Sequence, residues 1–267
     1  MLWLVIGSYL AAAVLIYWQQ RRLIYFPPEL PPQVVEQQAR TDRLEPWRNN
    51  KGQNIGWKRL SPTRPAVGQV LILHGNAGSA VYCGHYADSI QQVAPLDVFM
   101  LEYPGYSGRP GSPNEHSLYE AAEDGLALLV APGPVYLLGE SLGTGVAAYL
   151  AGGHPETVSG LILLAPYNSL VAVGQSKMRI FPINLLMKDR FPAEAHLRNY
   201  QGPIAFLVVN DDQVVPAKFG RALHEAYSGP KRLWELPRGN HEAILTQPPE
   251  WWREALGFLR QNPTGSR

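Results

Sequence analysis

Val135-Tyr136-Leu137-Leu138-Gly139-Glu140-Ser141-Leu142-Gly143 is the stretch on which the reading of this chain turns. Four apolar residues read as a strand. A G-x-S-x-G run follows, and Val146 to Ala151 continues as a helix. A serine between glycines at a strand-to-helix turn is the sequence form of a nucleophile elbow. The glycines answer to crowding, since a tight turn forces the serine into a strained conformation and brings strand and helix close together. The helix start adds backbone N–H groups and the positive end of a dipole beside the serine oxygen.

Working outward, the same pattern repeats on both sides. Apolar runs stand at Gly68 to Leu73, Asp97 to Leu101, Leu161 to Leu164 and Ile204 to Val209, with Arg232 to Leu236 as a further candidate. Most are unbroken rather than alternating, as expected of strands buried on both faces of a parallel sheet. Helical stretches are expected near 80–94, 113–130, 142–152, 216–227 and 249–260. Ser112, Pro113 and Glu115 suggest an N-cap, an N1 proline and an N3 glutamate. Such alternation predicts a doubly wound α/β sheet, whose site residues collect on loops after the carboxyl ends of strands.

Those loops carry the remaining chemistry. A serine near neutrality needs a base. Of seven histidines, His196, His224 and His241 follow Ser141. His241 comes directly after an apolar strand in Pro237-Arg238-Gly239-Asn240-His241, whereas His196 and His224 read as surface histidines. Asn210-Asp211-Asp212-Gln213-Val214-Val215-Pro216 follows another strand. Asp212 is the preferred acid and Asp211 the alternative, because either could orient His241 and one could simply cap the next helix. Two oxyanion donors complete such a site. Backbone N–H groups of Asn76, in His74-Gly75-Asn76-Ala77-Gly78, and of Leu142 take that role, with His74 bracing its loop.

Other chemistries lack their signatures. No H-E-x-x-H, paired Cys/His spacing, P-loop or dinucleotide fingerprint is present, so neither metal nor cofactor is called for. The 267 residues are 46% apolar and 17% charged with net charge +1, which fits one domain with a large core. Neither nucleic acid nor an obligate protein partner is implied. The single Cys83 reads as a small buried residue.

Leu2 to Trp18 contains no charge and sits at the lower edge of the roughly 17–25 residues that span a bilayer. Arg21 and Arg22 follow it, with Tyr17, Trp18, Tyr25 and Phe26 around them as an interfacial belt. A cleaved signal peptide would carry a basic start and a small-residue cleavage site, and neither is evident. The reading is an uncleaved single-pass anchor contacting membrane lipid. Two positive charges after the span favour a cytoplasmic body and leave the opposite face open. The expected division is 1–22 anchor, 23–54 connector, 55–262 body with a small cap at 165–202, and 263–267 flexible tail.

The motifs in order resemble a known family, the membrane-anchored α/β-hydrolases with a serine-aminopeptidase-like domain. Leu23-Ile24-Tyr25-Phe26-Pro27, the 74–78 loop, Tyr103-Pro104-Gly105-Tyr106-Ser107-Gly108 and Gly111-Ser112-Pro113-Asn114-Glu115 carry the likeness. Gly139 to Gly145, Asp212 to Pro216 and Gly239-Asn240-His241 extend it. The resemblance implies an α/β-hydrolase fold and supports Asp212 as acid, because the family's acid is the last Asp before x-x-V-P. Relatives include lysophospholipases and protein depalmitoylating thioesterases. The chain departs from the family at Glu102-Tyr103-Pro104, where Asp-Tyr-Arg is usual, and at Val209, where Gly is usual.

The expected function is therefore a serine hydrolase of carboxylic esters or thioesters, acting on a small-molecule or lipid acyl substrate through Ser141, Asp212 and His241. Met178, Ile180, Phe181, Ile183, Leu185, Leu186 and Met187 give the cap an apolar rim suited to an acyl chain, or packing against the core. Two alternatives stand beside this. One is an aminopeptidase using Glu140 or Glu102 to bind a substrate amine. The other is an anchored binding protein on an inactive scaffold.

Overall fold

A strand with apolar side chains on both faces must pair its backbone on both edges and be covered above and below. The computed structural model, which describes residues 1–129 and 131–262, meets that demand with one eight-stranded sheet ordered β1-β2-β4-β3-β5-β6-β7-β8. The strands are β1 Glu45–Arg48, β2 Asn54–Arg59, β3 Gln69–Leu73, β4 Asp97–Leu101, β5 Val135–Glu140, β6 Val158–Leu164, β7 Ile204–Val209 and β8 Lys231–Leu236. From β4 to β8 neighbouring strands are parallel, and β1 and β2 add an antiparallel edge. Every expected apolar run became a strand, and β3, β4 and β7 are buried along their whole length.

Helices α1 Leu2–Ile24, α2 Pro32–Thr41, α3 Gly84–Val93, α4 Glu115–Leu126 and α5 Leu142–Gly153 precede the cap. The cap holds α6 Leu170–Lys177, α7 Ile183–Leu186 and α8 Ala193–His196, and α9 Ala217–Ala226 and α10 Pro249–Gln261 follow. Contacts run α3 to α10, and α4 to α5 to α8 to α9, which covers the sheet with two helical layers.

Three expectations need correction. Residues 23–54 are more than a connector, because α2 and β1 lie within them and β1 pairs with β2. Of β1 only Trp47 is buried, ringed with Phe99 at 5.1 Å, so no apolar run betrays this edge strand. The start of α4 is shifted. Asn114 is the N-cap, and it forms a reciprocal capping box with Ser117 rather than the Ser112–Glu115 pair. Glu115 instead accepts the N–H groups of Arg190 and Phe191 in the cap. Last, His196 and His224 are half-buried. His196 meets the Tyr119 hydroxyl at 3.2 Å, and His224 stands edge-on to Phe206. The proposed tail, 263–267, lies outside the described residues.

Helix α1 is long and apolar enough to cross a membrane. Its halves differ. Met1 to Ala11 are exposed, while Ala12, Ala13 and Ile16 are half-buried and Gln20 is buried, all spaced on one helical face. The helix runs past the apolar span through Arg21 and Arg22 to Ile24. Gln20, 5% exposed, donates to Leu186 O at 3.0 Å and accepts Lys188 N–H at 2.6 Å. Arg21 Nε and the Tyr25 hydroxyl each reach buried Asp189 at 3.1 Å. Burial beside Asp189 raises the Tyr25 phenol far above its ordinary value, so it stays protonated and donates to that carboxylate.

Candidate active site

The site is assembled from the carboxyl ends of β3, β5, β7 and β8. Pairing of Leu73 with Gly139 sets the loop after β3 directly beside the turn after β5. In that turn Ser141 has φ 50° and ψ −114°, a conformation that costs an L-residue about 1–3 kcal/mol. The surroundings hold it there. A methyl group on Gly143 would come 1.9 Å from the Leu73 carbonyl oxygen, and one on Gly139 would meet the backbone of Gly143 and Thr144 at 2.8 Å. A side chain on Gly145 would strike the Tyr167 hydroxyl. Glycine is therefore required at the elbow for close approach. Ser141 N–H donates to Leu164 O at 2.8 Å, locking the turn to β6.

Ser141 is the N-cap of α5, so the Leu142 N–H belongs to the first-turn groups that a helix leaves without an internal acceptor. The loop after β3 closes through Gly78 N–H to Gly75 O at 3.1 Å. Its Asn76 is fastened on three sides. Asn76 O accepts from Phe26 N–H at 3.1 Å and from the Tyr106 hydroxyl at 2.8 Å, while its side-chain amide donates to Ile24 O at 2.9 Å. Asn76, Ser141 and Leu142 all line one cleft.

His74 is buried and turned away from that cleft. Its Nδ1 donates to Gly75 O at 2.8 Å, and its Nε2 lies 3.1 Å from Glu102. Glu102 also accepts from the Ser79 hydroxyl at 2.7 Å and from Ala80 N–H at 3.0 Å. Burial pulls the nearby Arg109 guanidinium below its ordinary value, and Glu102 partly offsets this. Glu140 accepts from the Tyr86 hydroxyl at 3.0 Å. Neither glutamate lines the cleft. Cys83 is buried, and that burial, with Glu140 and Glu102 close by, pushes its thiol well above the usual range. It stays a neutral, inert thiol.

After β7, Asp212 is 2% exposed and Asp211 is exposed. Asp212 Oδ1 accepts the N–H groups of Val214 at 2.7 Å and Val215 at 2.9 Å. Its Oδ2 lies 2.6 Å from His241 Nδ1. A carboxylate so placed fixes the ring through Nδ1, and Nε2 is the nitrogen outside that pairing. His241 starts a single 3₁₀ turn after β8, and its side chain is 20% exposed. It is not among the residues lining the cleft, although Val214 and Val215 are.

The cleft has a volume of about 220 Å³ and is overwhelmingly apolar. Cap residues Met178, Ile183, Leu186 and Met187 form one side, whereas Ile180 and Leu185 of the expected rim point outward, 75% and 77% exposed. Another side is α1, through Ile16, Gln20, Leu23 and Ile24. The sequence reading missed this contribution, together with the Tyr106 and Tyr25 braces. A signal was available in Gln20 and in Leu23 to Phe26, directly after the apolar span.

A parallel-rich sheet, a strained serine elbow and an aspartate–histidine pair on later loops define a class, the α/β-hydrolases. A family model described as the alpha/beta hydrolase fold matches residues 68–196. An uncharacterised protein of Mycobacterium tuberculosis is 31% identical over 232 residues, covering 85% of this chain and 82% of its own. The chain belongs to the α/β-hydrolase family. It is also similar to the lysophosphatidylserine lipase ABHD12 of Danio rerio, with 25% identity over 70% of this chain and 54% of that protein. Among solved structures, an esterase of Pyrococcus furiosus superposes with a TM-score of 0.64 at 13% identity, covering 91% of this chain and 99% of that one. That likeness speaks for the fold.

Proposed function

We propose that this hydrolase cleaves carboxylic esters or thioesters of lipidic acyl groups through an acyl-enzyme on Ser141. The observation that carries the reading is the strained Ser141 elbow lining an apolar cleft with no aspartate or glutamate among its described lining residues. A peptidase that binds a free substrate amine would need an acidic group there, and Glu102 and Glu140 are both turned to protein partners.

In the proposed mechanism, His241 Nε2 takes the Ser141 hydroxyl proton as Oγ attacks the acyl carbon. Asp212 holds the ring and stabilises the imidazolium. The N–H groups of Asn76 and Leu142 receive the oxyanion. The imidazolium then protonates the departing alcohol or thiol. Water, deprotonated by His241, releases the acid and restores Ser141. Asp211, exposed and one residue away, is the less suitable acid.

Residues 1–22 serve as a membrane anchor, with Arg21 and Arg22 favouring a cytoplasmic body at 55–262 capped by 165–202. Residues 23–54 then fold onto that body. The lipid-acting relative and the apolar helix support attachment to a membrane, and the two arginines alone speak for the face.

Labelling with a fluorophosphonate tests the reading. Wild type is expected to label and Ser141→Ala to stay unlabelled. Equal labelling of both would remove Ser141 from its role. Ester turnover that did not vary with acyl length would remove the lipidic assignment.

A further inference from the structure

One side of the cleft is walled by α1, a helix that precedes every strand of the sheet. We infer that α1 is part of the acyl-binding site, so that the helix placed in the membrane also sets the length of acyl chain that Ser141 can accept. The inference rests on the reading of Ser141 as an acyl-transfer nucleophile.

Geometry supplies the first argument. Ile24, Leu23, Gln20 and Ile16 line the same cleft as Ser141. From Ile24 to Ile16 is eight residues, about 12 Å of helix, the reach of a medium-length alkyl chain. Ile16 lies five residues before Arg21, about 7.5 Å into the apolar part of the helix. The far end of the cleft thus lies on the bilayer side of the charged collar, and an acyl chain arriving from the leaflet stays among apolar groups throughout.

Chemistry supplies the second argument. The polar side chains bordering the cleft are turned to protein partners. Gln20 binds Tyr17 O, Leu186 O and Lys188 N–H. The Asn76 amide donates to Ile24 O, the Tyr167 hydroxyl to Leu142 O, and the Lys177 ammonium to Gln213 O. What these groups leave facing the cleft is hydrocarbon surface, with Ser141 among its lining residues. An apolar chain fits, whereas a polar ligand would find its natural partners engaged.

The third argument is that the wall is fixed. Further up the helix, Tyr9 stacks on Phe181 at 5.1 Å between centroids and its hydroxyl donates to Ile180 O at 2.8 Å. At the other end Arg21 and Tyr25 hold Asp189. Contacts on either side of Ile16, at Tyr9 and at Arg21, make α1 a docked element rather than a tether.

The test uses the full-length chain in phosphatidylcholine vesicles and compares kcat/KM on butanoyl and dodecanoyl esters. Ile16→Trp fills the far end of the cleft and is expected to lower the dodecanoyl-to-butanoyl ratio by about tenfold or more. Ile16→Ala is expected to move the preferred length upward. Leu4→Trp, on the exposed half of the same helix, is expected to behave as wild type. Fluorophosphonate labelling reports that each variant is folded, and Ile16→Ala decides the matter if Ile16→Trp does not label. A ratio in the labelled Ile16 variants equal to that of Leu4→Trp would overturn the inference while leaving the hydrolase reading intact. A wild type that neither labels nor turns over any ester would remove both readings.

Discussion

Between Gly139 and Gly145 the chain is held by its own backbone, while between Ile183 and Asp189 it is held by side chains of a helix 166 residues away in sequence. Both regions border one cleft. At the elbow, close-packed peptide groups leave room only for glycine, so the serine has one conformation available. At the cap, a few hydrogen bonds from Gln20, Arg21 and Tyr25 fix the position, and Ile180 and Leu185 of the rim remain exposed. The Ser141 turn is thus positioned by a rigid backbone scaffold, while the cap's side of the cleft is positioned by replaceable side-chain contacts, which can change without loss of the fold.

The largest expected effect is chemical. Ser141→Ala should lower kcat by a factor on the order of 10⁶, the size found for the equivalent serine in subtilisin. Asp212→Asn should lower it by about 10⁴, because the amide presents the wrong partner to Nδ1 and favours the wrong tautomer. Both are read by ester turnover with the fold checked by circular dichroism. Gly143→Ala attacks the backbone side of the comparison. It drives a methyl group into the Leu73 carbonyl, and a loss of more than about 4 kcal/mol in urea unfolding is expected. A mild effect would mean that the elbow is less tightly determined than its contacts indicate.

Gln20→Leu attacks the cap side and leaves Lys188 N–H and Leu186 O without that partner, a local cost of about 1–3 kcal/mol. Hydrogen exchange should quicken over 183–189 and stay unchanged in the central strands. Uniform quickening would sink the distinction drawn between the regions. The smallest effect concerns pH. Burial lowers the His196 pKa, with Glu115 opposing, so the folded protein favours its neutral form. The unfolded chain then binds the proton more readily, and this contribution to stability is present above about pH 6.5 and fades as pH falls below it. His196→Gln should flatten that part of the stability profile, measured by melting temperature against pH.

The strands and the glycine-flanked turn at Ser141 were legible in the sequence, and the cap's attachments were not, for a physical reason. Strands β3 to β7 write themselves as apolar runs because both faces are buried, and the elbow writes itself as glycines because backbone approaches backbone. Those are local constraints. β1 escaped notice because an edge strand buries one residue, Trp47, and keeps charge outside. The capping box moved by two residues because Glu115 was taken by the cap. His196 read as a surface residue because its partners Tyr119 and Tyr149 belong to other helices. Gln20 read as the polar end of a span, since the carbonyl and N–H that bury it lie far along the chain. Pairings across such separations leave no periodic trace.

The ion pair between Arg21 and Asp189 has a further consequence in a bilayer. With α1 as the proposed anchor, Arg21 would mark the height at which the hydrocarbon ends, and Asp189 would suspend the cap from that mark through its 3.1 Å ion pair. A thicker or thinner membrane, which shifts or tilts a helix at a cost of fractions of a kcal/mol per Å, would carry the cap with it. Ile180 and Leu185 would keep their depth relative to the headgroups, as a float keeps its waterline. The cleft beside Ser141 would thus ride at constant altitude over membranes of differing thickness, and replacing the helix with an unrelated anchor would lose that registration even where attachment was restored.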